Sequence, residues 1–131
     1  MKFKVVSMLE KCCKCCSNNC NRYMDKYDIT MRQLIELKNN GAVLVDIRSP
    51  QEYKEGHLEG AIVIPDYEIR KTIYNIIPNK KQLIIVYCGT GIRSKNVQRY
   101  LQKIGYDNVY NLYKGTENYW DFWNFMLKCQ I

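Results

Sequence analysis

Features that would mark a membrane, exported or repeat protein are missing from this 131-residue sequence. Its longest apolar runs, such as residues 83–88, have the length of a strand and fall short of the ~20 residues that span a bilayer. The apolar stretch 5–9 ends at Glu10, before it reaches the roughly 7–15 residues of an export signal. No internal repeat is visible. We therefore expect a soluble, cytoplasmic protein with no membrane partner.

Acidic residues are fewer than basic ones, 13 against 20, which gives a formal net charge of +7. Such a charge attracts small anions and acidic partners through long-range electrostatics. The basic residues are scattered, however, and the sequence has neither a basic stripe interleaved with aromatic residues nor a nucleic-acid-binding motif. The sequence therefore favours a small anion over nucleic acid as a partner.

The length and composition are those of one globular domain, with 47% hydrophobic and 25% charged residues. Residues 1–25 differ from the rest because they hold five of the seven cysteines, and we interpret them as an appended cysteine-rich extension. In a reducing compartment, cysteines serve as thiols, metal ligands or catalytic groups more often than as structural disulfides.

From residue 27 onward the pattern alternates between helix and strand. Capping boxes formed by Thr30 with Gln33 and by Ser49 with Glu52 predict two helix starts. Continuous apolar runs indicate strands that are buried on both faces. The predicted strands are residues 42–47, 61–65, 82–87 and 108–113, and the predicted helices are residues 31–40, 50–54, 68–77, 94–105 and 118–127. This alternation predicts an α/β fold with a mostly parallel sheet and helices on both faces.

The stretch VYCGTGIRSK places Cys88 directly after a buried strand, and we expect Ser94 to begin the next helix. Ligands of open α/β sheets bind at this carboxyl edge. Gly89 and Gly91 allow successive backbone N–H groups to point inward, and such a nest at a helix N-terminus attracts anions, including a thiolate. Arg93 adds a fixed positive charge suited to an oxyanion. The alternative interpretation is a buried structural thiol followed by a tight turn.

Two independent motifs, which follow each other along the chain in the order expected of the family, resemble those of the single-domain rhodaneses, which are thiosulfate sulfurtransferase-like proteins. Residues 86–115 resemble the catalytic half of that family, and residues 44–65 resemble its other hallmark. In the second motif the matching positions are Asp46, Arg48, Glu52, Tyr53, Gly56, His57, Gly60 and Ala61. The likeness covers residues 27–123 and implies a rhodanese domain over residues 26–131. Lys114 departs from it, because the family usually has two glycines where this sequence has Lys114 and Gly115.

The resemblance implies a covalent cycle in which the Cys88 thiolate attacks the outer sulfur of a small anionic donor such as thiosulfate. Sulfite then leaves, Cys88 carries a persulfide, and a thiol or cyanide accepts the sulfur; a protein acceptor is also possible. Arg93 would steer the donor, and no cofactor is required. The donor would be bound by backbone groups of Gly89, Thr90, Gly91, Ile92 and Ser94.

Certain phosphatases of cell-cycle control and some arsenate reductases also use a loop with a cysteine and an arginine. In this chain four residues separate Cys88 from Arg93, whereas the phosphatase pattern has five. A tighter ring of N–H groups suits one extra sulfur better than a tetrahedral phosphate, so the spacing favours sulfur transfer. A rival hypothesis from another class is a non-catalytic persulfide carrier, or a module that senses redox state or binds a partner.

Other candidate residues allow two interpretations. His57, the only histidine, could pair with the nucleophile, but its place between two glycines before a strand favours a hydrogen-bonded turn. Asp46 and Arg48 could form an ion pair that braces the catalytic loop, or a pair with a purely structural role.

The cysteines of residues 12–20 could bind zinc, copper(I) or an iron–sulfur cluster. Two cysteine pairs have the spacing of a metal knuckle, but no second pair follows at a distance, and a thiol-rich tail without metal is therefore the favoured interpretation. A third interpretation is a thiol that resolves or accepts the Cys88 persulfide. The aromatic segment 119–125 is most simply a helix docked on the sheet, although an exposed part could bind a partner.

Overall fold

The computed structural model describes residues 24–119. In chain order the elements are β1 (Asp28–Ile29), α1 (Met31–Asn39), β2 (Val43–Asp46), α2 (Pro50–Glu55), β3 (Ile62–Val63), α3 (Ile69–Ile76), β4 (Ile84–Tyr87), α4 (Ile92–Lys103), β5 (Val109–Leu112) and a 3₁₀ helix (Thr116–Tyr119). The cysteine-rich segment 12–20 and most of the predicted helix 118–127 lie outside the described residues, so the boundary near residue 25 stays a prediction.

One parallel sheet of five strands forms the centre, in the order β1-β5-β4-β2-β3. Its middle is set by the pairs Val45 with Val86 and Val86 with Asn111. Parallel neighbours require crossover connections, and the helices supply them. The predicted α/β class with a parallel sheet is thereby confirmed. Among residues 24–119, no helix is both long and apolar enough to span a bilayer.

Both predicted capping boxes are present. The Thr30 side chain accepts a hydrogen bond from the Gln33 N–H, while the Gln33 side chain accepts one from the Thr30 N–H. Ser49 and Glu52 make the same reciprocal pair at the start of α2, where Pro50 occupies the first turn. These caps satisfy N–H groups that a helix start leaves without partners. They fix where the chain turns back after β1 and after β2.

The core has two layers, because alternate side chains of the buried strands face opposite sides of the sheet. The layer on the α1 side contains Ile29, Met31, Leu34, Leu37, Leu44, Leu58, Ala61, Leu83, Ile85, Tyr87, Tyr110 and Leu112. The layer on the side of α3 and α4 contains Val45, Ile47, Ile64, Ile69, Ile73, Ile77, Ile84, Val86, Cys88, Val97, Leu101, Tyr106 and Val109. Cys88 therefore belongs to the layer beneath α4.

Three details differ from the prediction. Helix α4 begins at Ile92 and not at Ser94, because Gly91 adopts a left-handed conformation (φ +85°) and serves as its N-cap. The predicted strand 61–65 pairs only over Ile62–Val63. The two-residue edge strand β1, which pairs with β5, was not predicted, since two residues carry no readable periodicity.

Candidate active site

The loop after β4 brings Cys88 to the carboxyl edge of the sheet, where Cys88 is 1% exposed. Its sulfur accepts a hydrogen bond from the Gly91 N–H at 3.1 Å, and the Ser94 N–H lies 3.5 Å from the same atom. The Ser94 hydroxyl oxygen is 3.3 Å from the sulfur. The loop and the first turn of α4 therefore bring together two backbone donors and one hydroxyl around a free thiol.

The turn after β5 packs against this loop closely. The Thr116 N–H donates to the Cys88 carbonyl and the Glu117 N–H donates to the Gly89 carbonyl. A Cβ added to Gly115 (φ +68°) would lie only 2.4 Å from the Gly89 carbonyl carbon and oxygen. Gly115 must therefore lack a side chain for the two segments to meet.

Lys114, the residue that departs from the family pattern, also has a left-handed conformation (φ 61°). A Cβ added to Gly91 would lie 2.8 Å from the Lys114 backbone nitrogen. The turn thus keeps a glycine-like backbone at position 114 although the residue there is lysine. The substitution places a cationic side chain beside the loop without removing the turn.

Arg93 lies at the rim of the loop, and its side chain is 47% exposed. Its guanidinium donates two hydrogen bonds of 3.0 Å to the Asp66 carboxylate, which follows β3 at the same edge of the sheet. This charged hydrogen bond lowers the pKa of Asp66 and raises the pKa of Arg93. Arg93 is therefore at the rim of the predicted anion site, but in this structure its Nε and Nη2 groups each donate to Asp66.

Asp46 and Arg48 form the predicted ion pair, with Arg48 Nη2 2.7 Å from Asp46 Oδ2. The same Nη2 donates to the Gly56 carbonyl, and the Tyr87 hydroxyl donates to Asp46 at 3.0 Å while it accepts from the Leu58 N–H. Burial, together with the Asp46 charge, raises the pKa of Tyr87, so its hydroxyl stays a donor. The pair thus holds the segment 56–58 against β4, one residue before Cys88.

The remaining predicted residues have varied surroundings. Gly89 is half-buried, Thr90 is exposed and Ile92 is 70% exposed. His57 has its Nδ1 2.8 Å from the Tyr53 carbonyl oxygen, and its ring stacks on the Tyr53 ring at 3.7 Å between centroids. These contacts agree with a turn-fixing interpretation of His57.

Among the described residues 24–119, two surface clefts flank α4, with volumes of 220 and 270 Å³. Cys88 lines neither of them. Cationic side chains line both, namely Arg70 and Arg93 in the first and Lys95, Arg99 and Lys114 in the second. The surface on either side of the loop is therefore suited to anions.

Sequence reasoning missed three polar residues that contact the loop or its helix. Asp66 follows a parallel strand at its carboxyl end, which is a readable signal for a site residue. Asp28 and Asn111 contact the loop region from β1 and β5, and their association depends on strand pairing that the sequence does not reveal. Within residues 24–119, no three His, Cys, Asp or Glu side chains are grouped so that they could hold a metal ion.

A protein-family model, described as the rhodanese-like domain, matches residues 30–121. The chain belongs to the rhodanese family. The match covers both motifs of the sequence and the whole parallel sheet except β1, so the rhodanese resemblance is confirmed.

Proteins that are similar to this chain carry different names. A thiosulfate sulfurtransferase GlpE from Pseudomonas entomophila is 35% identical over 89 residues, which cover 68% of this chain and 80% of the relative. A tRNA uridine(34) hydroxylase from Buchnera aphidicola is 33% identical over 106 residues, but this chain spans only 33% of its length. A solved structure described as rhodanese with anions from E. coli has a TM-score of 0.54 and 31% identity, and the match covers 59% of this chain and 89% of the other.

Proposed function

We propose that this rhodanese is a sulfurtransferase that carries sulfur as a persulfide on Cys88. The observation that carries the proposal is the position of the Cys88 sulfur, which accepts from the Gly91 N–H at 3.1 Å at the start of α4. A second N–H, from Ser94, lies 3.5 Å away. Both N–H groups lie where they can stabilise the negative charge of a thiolate or a persulfide on Cys88.

The proposed reaction has two balanced steps. The Cys88 thiolate attacks the outer sulfur of thiosulfate, a new S–S bond forms, and the bond to the sulfonate breaks with its electron pair leaving on sulfite. A thiolate or cyanide then attacks the outer sulfur of the persulfide, and the Cys88 thiolate is the leaving group. No net redox change occurs and no cofactor is needed.

The choice of donor is supported by charge, burial and similarity. Arg93 and the cationic clefts beside α4 favour an anion, and a cysteine that is 1% exposed favours a small donor. The GlpE relative is named a thiosulfate sulfurtransferase, and the E. coli rhodanese structure is described with anions. Thiosulfate is therefore the donor that we propose, with a small thiol, cyanide or a protein thiol as acceptor and the cytoplasm as the site of action.

The test is mass spectrometry of the full chain after incubation with thiosulfate. We expect one added sulfur on the peptide that contains Cys88, with release of one sulfite. A Cys88→Ser variant should gain none, whereas Cys129→Ser, a matched control at another cysteine, should react like the unmodified protein. Equal sulfur gain by the Cys88→Ser variant would contradict the proposal.

A second function, persulfide carrier or redox-sensing module, is supported by the tRNA uridine(34) hydroxylase relative, in which a similar region makes up 33% of a longer protein. Turnover separates the two functions. If cyanide or a thiol is sulfurated over many cycles, the enzyme is supported; if Cys88 takes up one sulfur and then stops, the carrier is supported. We do not propose hydroxylation, because two thirds of that relative has no match here.

A further inference from the structure

A chain of buried hydrogen bonds connects the Cys88 sulfur to a carboxylate on the edge strand. The Ser94 hydroxyl, 3.3 Å from the sulfur, donates to Asn111 Oδ1. Asn111 Nδ2 donates to Asp28 Oδ1 at 3.1 Å, and Lys95 Nζ lies 3.0 Å from that same oxygen. Each member apart from Lys95 is at most 3% exposed.

Strand pairing and helix α4 bring the members together. Asp28 pairs with Asn111 in the ladder between β1 and β5, which places the carboxylate beside the amide. Ser94 and Lys95 occupy the first turns of α4, above that pair. The short edge strand therefore supplies a buried charge to the site, and Lys95, which also contacts Asp25 at 2.7 Å, compensates it.

The hydrogen bonds from Asp28 to Ser94 have a defined donor and acceptor order. Asn111 Nδ2 faces two groups that only accept, the Asp28 carboxylate and the Gly91 carbonyl at 3.5 Å. The amide oxygen must therefore face Ser94, and the Ser94 hydroxyl must donate its proton to that oxygen. The lone pairs of the hydroxyl are then left to face Cys88.

This order favours the protonated thiol. A Cys88 S–H can donate to the Ser94 oxygen without disturbing the chain. A thiolate needs the hydroxyl to turn towards the sulfur, which leaves the buried amide oxygen of Asn111 without its donor. The Gly91 and Ser94 N–H groups act in the opposite sense, since they stabilise the thiolate.

We infer that Asp28 is a positioning residue that sets, through Asn111 and Ser94, how readily the Cys88 thiol loses its proton. The other charged groups that face the chain or the loop come from several elements. They are Asp25 before β1, Lys95 and Arg99 of α4, Lys114 after β5, and Arg93 and Glu117 at the loop rim. The test must therefore distinguish an effect of Asp28 that passes through the hydrogen bonds from a direct electrostatic effect of its charge on Cys88.

The measurement is the pH dependence of the rate at which iodoacetamide alkylates Cys88 in the 131-residue protein. Mass spectrometry of the peptide that contains Cys88 follows the reaction. We expect Asp28→Asn to lower the half-maximal pH by roughly half to one unit, the worth of one net hydrogen bond. Ser94→Ala should lower it as well, because it removes the acceptor of the thiol proton. A Ser94 hydroxyl that donated to the sulfur would give the opposite sign, and that result would overturn the inference.

Two further variants test whether the effect of Asp28 passes through the hydrogen bonds of Asn111 and Ser94. In a Ser94→Ala background, Asp28→Asn should shift the profile much less than it does alone, since the connection is broken. Asp25→Asn removes the other, more exposed carboxylate bound by Lys95 and should shift the profile little. An Asp28→Asn shift that is equal in both backgrounds, or no shift at all, would reject the positioning role.

The inference deepens the proposed function, because it concerns the same thiol, but the two fail separately. Alkylation reports ionisation whether or not sulfur is transferred. A wild-type protein that takes up no sulfur from thiosulfate, yet shows the coupled shifts, would leave the inference standing and reject the sulfurtransferase. If Cys88 takes up sulfur but the Asp28→Asn shift is the same with and without Ser94, the sulfurtransferase is supported and the positioning role of Asp28 is rejected.

Discussion

At the scale of single residues, Arg93 has two uses that compete. As a predicted donor-steering group it should offer its N–H donors to an anion, yet both contacts in the structure are made with Asp66. The pair is partly exposed on both sides, with 47% of the Arg93 side chain and 31% of the Asp66 side chain accessible. Exposed pairs of this kind are weak, so an incoming anion can displace the carboxylate.

Replacing Asp66 should therefore improve donor binding. We expect Asp66→Asn to lower the KM for thiosulfate by roughly 1.4- to fivefold, which corresponds to the ~0.2–1 kcal/mol of an exposed ion pair. Steady-state kinetics with cyanide as acceptor measures this. Asp107→Asn, which removes the same charge from an exposed site beyond α4, is the matched control and should leave KM unchanged. A higher KM for Asp66→Asn would indicate that the pair orients Arg93 productively.

At the scale of elements, the loop after β4 is shaped by the turn after β5. Gly115 meets the Gly89 backbone with no room for a Cβ, and backbone hydrogen bonds from Thr116 and Glu117 lock the two segments together. The position of the Cys88 loop therefore depends on an element more than twenty residues away in sequence.

Gly115→Ala should displace the loop and with it the donors around the sulfur. We expect a roughly ten- to hundredfold loss of sulfurtransferase turnover, because small displacements of reacting groups are costly. Gly41→Ala is the matched control: Gly41 is also left-handed (φ +94°), but an added Cβ there meets nothing within 4 Å. It should cost about 1–2 kcal/mol of stability and leave turnover intact. Equal activities of the two variants would contradict this account.

A second prediction at this scale concerns Tyr87, whose hydroxyl joins β4 to Asp46 and to the Leu58 N–H. Tyr87→Phe leaves the buried Leu58 N–H without its acceptor, so we expect a loss of about 1–3 kcal/mol in the free energy of unfolding. Urea denaturation measures it. Tyr67→Phe, at a residue that is 65% exposed, should change stability by less than about 0.5 kcal/mol. A Tyr87→Phe loss no greater than that of Tyr67→Phe would show that the hydroxyl bonds are unimportant.

The elements that the sequence predicted are those specified by local chemistry. Capping boxes identify the starts of α1 and α2, and apolar runs identify β2 and β4, because neighbours along the chain determine both patterns. The start of α4 was misplaced by two residues, since its N-cap is the left-handed Gly91 and no side-chain cap marks the helix start. Asp28 was missed for a related reason: its partners, Lys95 and Asn111, lie more than sixty residues away.

At the scale of the whole molecule, α4 is tied to the sheet on both sides by ion pairs. Arg93 contacts Asp66 on the side of α3, and Lys95 contacts Asp25 and Asp28 on the side of β1. These pairs add charged contacts at both edges of the sheet to the apolar packing of the helix through Val97 and Leu101. Its attachment should depend on pH, because two of these carboxylates are partly exposed and titratable.

The acid stability of the fold tests this attachment. The Arg93 hydrogen bond lowers the pKa of Asp66 below its ordinary 3.8. Burial alone would raise the pKa of Asp25, but the Lys95 contact, the Tyr27 N–H and the Arg99 charge together lower it. A carboxyl whose pKa is lower in the folded state stabilises the fold fully above its unfolded pKa, and this stabilisation is lost as pH falls through the folded pKa. We therefore expect the urea midpoint to fall below about pH 4.5, and an Asp25→Asn, Asp66→Asn double variant to start lower at pH 7 and fall less. The two curves should converge as the pH falls through the lowered folded-state pKa values of the two carboxyls, so a gap that stays constant would contradict the proposed attachment.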